Sequence, residues 1–112
     1  MDYKVIISAQ AETDISNIYS HILNGFNSRI NATAVLNRLY SEIKDLSFMA
    51  GSHHLYPNEP WHSQGLHYFS VNNYSIFYAV QKIEDNDELA GIASVAQVTY
   101  GKRDLDAVLR DN

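Results

Sequence analysis

The spacing of hydrophobic positions changes period twice along the chain, and each change marks a new kind of element. Tyr3, Val5 and Ile7 recur at every second position and predict a strand from Tyr3 to Ser8, because alternate side chains of a strand share one face. Ser8 then stands at a helix N-cap, where its hydroxyl can accept an orphaned N–H of the first turn. From Ala9 to about Asn24 the spacing is helical, through Ala11, Ile15, Ile18, Tyr19 and Ile22, and Gly25 ends the run. A second helix is predicted from about Ser28 to Met49. Its apolar stripe is Ala32, Leu36, Leu39, Ile43 and Leu46, with Arg38, Glu42 and Asp45 outside it, the pattern of a helix with one buried face. The short polar link between the two helices predicts an antiparallel hairpin.

Residues 51–64 hold both prolines and read as a loop. After them the period is two. Strands are predicted over Leu66 to Val71, Tyr74 to Ile83 and Leu89 to Tyr100. Asn72-Asn73 makes a tight turn, since asparagine tolerates positive φ. Glu84, Asp85, Asp87 and Glu88 form an acidic hairpin tip, Gly101 breaks the third strand, and 104–110 reads as a short terminal helix. The predicted architecture is α+β, a single two-layer domain over residues 1–112. Its order is β-α-α-β-β-β with a short C-terminal helix, and the helical hairpin packs on an antiparallel sheet. Ile15, Ile18, Ile22, Leu36, Leu39, Ile43, Leu46, Phe77 and Val95 are expected in the core.

Composition narrows the function classes. There are no cysteines, which removes disulfides and thiolate chemistry. The first residues lack the apolar run of a signal peptide, and no segment has membrane-spanning length; a soluble, cytoplasmic protein with no membrane partner is expected. The net charge of −5 means that any basic patch for nucleic acid must be local. His53, His54, His62 and His67 bunch in one region, and histidine titrates nearest to neutral pH. Taken singly each reads first as a polar surface residue, with His67, inside a strand, the strongest acid–base candidate. The histidine spacing fits no standard zinc pattern, so neither a metal nor another cofactor is expected. Tyr56 and Trp61 read as a cover on the edge of the core before they read as a platform for a base, and Tyr74, Ile76 and Tyr78 share a core face.

Three stretches, YKVIISAQAETDISNIYSHI, LYPNEPWHSQGLHYFSVNNYSIFYAV and VTYGKRDLDAVL, follow in an order and spacing that resembles the RelE/ParE toxin superfamily over nearly the whole chain. The resemblance implies the toxin of a type II toxin–antitoxin module that causes growth arrest and is held in check by a cognate antitoxin protein. RelE-like members cut mRNA in the ribosomal A site, and ParE-like members block DNA gyrase without catalysis. The first expectation is a ribosome-dependent mRNA endoribonuclease, with the ribosome and mRNA as further partners. The alternative is a ParE-like gyrase inhibitor, and a third reading is a degenerate toxin that only binds its antitoxin.

For the nuclease, the resemblance assigns Arg103 to the phosphate charge, Lys102 to added charge beside it, His67 to acid or base, and Tyr100 to the same site. Two departures stand against it. Ser75 occupies the position where RelE-like nucleases tend to carry arginine, and the tyrosine of their terminal helix is missing. An antitoxin is expected to use apolar surface left over on the hairpin, at Val35, Tyr40 and Phe48, together with the open sheet edges and the acidic surface.

Overall fold

The computed structural model describes residues 2–25, 27–84, 88–100 and 105–110. The elements are β1 (Asp2–Ile7), α1 (Ala9–Gly25), α2 (Arg29–Lys44), α3 (Leu46–Met49), β2 (Leu66–Val71), β3 (Tyr74–Lys82), β4 (Leu89–Tyr100) and α4 (Leu105–Arg110). Local chemistry sets the boundaries. The Ser8 hydroxyl accepts from the Ala11 N–H at 3.0 Å and the Ser28 hydroxyl from the Asn31 N–H at 3.2 Å, so both long helices begin on serine caps. Asn27 and Asn72 take φ of 50° and 54°, the left-handed region that asparagine enters more readily than most residues. One turns the chain between α1 and α2, the other between β2 and β3.

The long second helix expected from Ser28 to Met49 is broken at Asp45. Leu39, Ile43, Leu46 and Ala50 are all buried across the break. The apolar stripe therefore continues through it, which is why the spacing alone does not reveal it.

The sheet has the order β1-β4-β3-β2. β2, β3 and β4 form the expected antiparallel meander. The expectation of a wholly antiparallel sheet is corrected at β1, which joins β4 in parallel. A parallel neighbour requires a long crossover, and here everything from α1 to β3 lies between the two strands.

One face of the sheet is covered by the helices. α1 packs on β4, α3 on β1 and α2 on β2. Ile15, Leu39, Ile43 and Leu46 meet Ile76, Tyr78 and Val95 in this core. Ile22 is buried as expected, whereas Ile18 and Leu36 are half-buried against the cluster. Val35 and Tyr40, expected as surplus apolar surface, also pack against it. Tyr40 donates its hydroxyl to Glu12 at 2.9 Å, which clamps α2 to α1. Of that expected trio only Phe48 stays open, at 64% exposed. Phe77 is fully buried on the opposite face, against Tyr56 and Tyr68. A second, aromatic core therefore lies beneath the 51–65 loop.

β4 carries a bulge. Phe77 pairs with Gln97 and Tyr78 with Val95, so Ala96 is the extra residue. The start of α1 satisfies the backbone there. The Ser8 N–H donates to the Val95 carbonyl at 2.9 Å and its hydroxyl to the Ala96 carbonyl at 2.9 Å. Asp14 accepts the Val98 N–H at 3.0 Å and is itself oriented by Gln10 at 2.8 Å. At the other end of β4, a Cβ on Gly91 would lie 2.3 Å from the Gln81 carbonyl oxygen, so only glycine fits between β1 and β3.

Two stability predictions follow from β4. Gly91→Ala forces its neighbours apart and should cost about 1–3 kcal/mol or more. Asp14→Ala leaves the Val98 N–H without its acceptor and should cost about 1–3 kcal/mol. Urea denaturation of the two variants against the parent checks both; unchanged midpoints would refute the role given to each contact.

Candidate functional site

His67 lies on β2 opposite Tyr78, on the helix-covered face. Its ring stacks on Tyr78 with centroids 5.1 Å apart, and its Nδ1 lies 2.9 Å from the His53 carbonyl oxygen. A carbonyl oxygen only accepts, so the contact is made with a proton on Nδ1. The surrounding backbone is a cover on the outer edge of β2. The Tyr56 N–H donates to the Leu66 carbonyl at 2.7 Å, the Tyr68 N–H to the His54 carbonyl at 3.1 Å, and Leu55 bridges His67. His53 stacks on Phe69 at 4.3 Å. Its pKa is lowered, first by burial and then by His67 and His54, with Glu42 acting in the opposite direction. His62 likewise points Nδ1 at a carbonyl, that of Tyr56, at 3.1 Å.

Tyr100 is the last residue of β4, 43% exposed, and meets Tyr74 edge-to-face at 5.8 Å. Burial, followed by the neighbouring Tyr100, raises the pKa of the Tyr74 hydroxyl. The register separates Tyr100 from His67. Tyr100 pairs with Tyr74 and His67 with Tyr78. Four residues along the sheet at about 3.4 Å and two strand spacings of about 4.8 Å put them about 17 Å apart. The fold does not bring these two candidates into one site. Lys102 and Arg103 lie outside the described residues.

Ser75, the departure noted in the sequence, is 3% exposed. It lies in a row with Ser70 on β2 and Thr99 on β4, on the face away from α1 and α2. Among the described residues no three His, Cys, Asp or Glu side chains are grouped to hold a metal ion, and no helix is long and apolar enough to cross a membrane.

Two features are absent from the sequence reading. The first is a polar clasp on α4. Asp106 accepts from the Tyr56 hydroxyl and from the Asn58 amide at 2.8 and 3.0 Å. The hydrogen bond from Tyr56, and then that from Asn58, lowers its pKa below the ordinary carboxylate value. An aspartate in the first turn of a helix reads as a generic favourable charge, so its distant partners leave no mark in the local pattern. The second is an open cleft of about 630 Å³ between the hairpin and the β2–β3 turn, lined by Ile22, Asn31, Val35, Asn72, Asn73 and Tyr74. These residues come from three separate stretches, which no single motif joins.

A strand, a helical hairpin and a three-stranded meander, closed by parallel pairing of the first and last strands, define the fold class. Among solved structures it is shared by a chain of the chromosomal ParDE toxin–antitoxin system from P. aeruginosa. That chain is 15% identical, with a TM-score of 0.67, and the match covers 88% of this chain and 95% of that one. It is shared as well by a chain of the toxin–antitoxin complex RelBE2 from Mycobacterium tuberculosis. There the identity is 17% and the TM-score 0.54, over 89% of this chain and 99% of the other. No family model and no curated protein matches the sequence. The resemblance to the RelE/ParE superfamily read from the sequence therefore holds in three dimensions, at the level of the fold.

The clasp sets an acid limit on the docking of α4. A carboxylate whose folded pKa is depressed contributes stability above its ordinary pKa, and loses it as pH falls through the folded value. Tyr56→Phe removes the larger cause, so the Asp106 midpoint should rise toward the ordinary 3.8. Carboxyl ¹³C NMR titration of parent and variant measures this; an unmoved midpoint would rule out the clasp.

Proposed function

We propose that the protein is the toxin of a type II toxin–antitoxin module and that it arrests growth by binding its target, DNA gyrase, rather than by cutting RNA. The observation that carries this reading is the separation of the two described nuclease candidates, His67 and Tyr100. General acid–base catalysis needs its groups within hydrogen-bond reach of one reacting centre. His67 holds the loop carbonyl of His53, and Tyr100 stands about 17 Å away across the sheet. Ser75 offers a buried hydroxyl where a charge-stabilising arginine is wanted. The acidic net charge disfavours an RNA-binding surface.

The antitoxin partner has its own support. Ile30 at 83% and Phe48 at 64% exposed leave apolar side chains open on the helical layer, and β1 is an edge strand of the sheet. Exposed apolar surface and free edges are the features that a wrapping segment covers. The net charge of −5 favours a basic segment.

A second reading, ribosome-dependent mRNA cleavage, rests on Tyr100, exposed at the end of β4 two residues before Lys102 and three before Arg103. Paired assays separate the two. The purified protein should block gyrase supercoiling and leave mRNA on programmed ribosomes intact, and it should co-purify with the product of a neighbouring small gene. Cleavage of that mRNA, lost by about a hundredfold or more in a folded Arg103→Ala variant, would replace the binding reading with the nuclease.

A further inference from the structure

The outer edge of β2 is closed by the chain itself. Edge strands expose backbone N–H and C=O groups that invite pairing, and folds protect them. Here the protector is the short segment His53–Tyr56. It takes the Tyr68 N–H on the His54 carbonyl and gives the Tyr56 N–H to Leu66. The His67 side chain adds a third hydrogen bond, to the His53 carbonyl.

The segment is fixed differently at its two ends. Tyr56 is 5% exposed and wedged among Trp61, Tyr68 and Phe77. At the other end the ring of His53 lies flat on Phe69, with planes 15° apart, and edge-on to Tyr78. The Tyr78 hydroxyl donates to the Ala50 carbonyl at 2.5 Å, just before the segment begins. The start of the cover is thus held by the stacked His53 ring and by the His67 hydrogen bond to its carbonyl.

The groups facing that ring are few. β2 presents His67, α2 presents Glu42, and the segment itself presents His54. β3 presents Tyr78, whose hydroxyl burial pushes up to about 12, so it stays neutral wherever histidine titrates. A proton on His53 places a charge in a half-buried stack beside two other imidazoles, against one carboxylate.

We propose that the cover is acid-released at its first end: protonation of the His53 ring lifts His53 and His54, with Tyr56 as the fixed end, and bares the Tyr68 N–H on the outer edge of β2. The direction follows from linkage. Burial lowers the His53 pKa below 6.5 in the closed form, while an open segment restores the ordinary value. The closed form is therefore fully favoured above 6.5 and loses ground as pH falls below it.

Amide hydrogen exchange tests this, read as protection factors so that intrinsic pH effects cancel. Between about pH 7.5 and about pH 5.5 the protection of the Tyr68 amide should fall several-fold, and by no more than about tenfold, the ceiling for a single ordinary histidine over that range. The Glu12 amide, bonded to the Ser8 carbonyl, should hold steady. His53→Phe keeps a flat ring on Phe69 and should abolish the pH dependence. His67→Gln keeps a donor to the His53 carbonyl and should retain it. Equal protection of Tyr68 at both pH values, or an undiminished dependence in His53→Phe, overturns the proposal. Should His53→Phe fail to fold, NMR titration of the parent decides instead. The His53 ring shifts and the loss of Tyr68 protection must share one midpoint, and midpoints a full unit apart overturn the proposal.

Discussion

The hydrogen bond from the Val98 N–H to Asp14 joins the first helix to the last strand, and the fold turns on that junction. β4 is flanked by β1 and β3, but β1 ends opposite Val95. Beyond that point β4 loses its partner on one side. The bulge at Ala96 falls there, where backbone groups would otherwise be left unpaired, and such groups are costly when shielded from water. Ser8 and Asp14 take them over. The same Ser8 hydroxyl caps α1, so the direction of the helix and the course of β4 are set by one residue. The hairpin then lies across the sheet because α1 has already been aimed.

Most of this fold is legible in the sequence because period and caps are local properties. The alternation at Tyr3, Val5 and Ile7, the serine cap at position 8, and the stripe from Ala32 to Leu46 each predict an element that the structure contains. What the sequence hides is relational. Nothing in β1 says whether its neighbour runs parallel, since both arrangements use the same alternation. Gly91 falls unremarked inside the predicted third strand, and only the fold places the Gln81 carbonyl 2.3 Å from where its Cβ would be. Val35 and Tyr40 read as surplus because a stripe drawn on one helix ignores what a neighbouring helix can cover.

The candidate site is less legible for the same reason. His67 is correctly read as a residue within the sheet, but spacing cannot say that its Nδ1 is taken by a backbone carbonyl fourteen positions away. Tyr100 and His67 both fall on strands of one meander, and only the register shows how far apart those strands hold them. Ser75 is informative at both levels. As a departure from the RelE pattern it weakens the nuclease, and as a buried hydroxyl beside Thr99 it is integrated into the sheet.

The parallel pairing of β1 with β4 also bears on the time at which the molecule comes into being. β4, an interior strand of the sheet, is the last of its strands to leave the ribosome. β1, the hairpin and the β2–β3 pair are synthesised before the strand that connects them exists. Contacts of such long sequence separation close late and slowly. A nascent chain of this kind exposes its helical layer and its edges until β4 has been synthesised. The order of synthesis thus holds the sheet open: its two flanks wait as separate pieces until β4 arrives to join them.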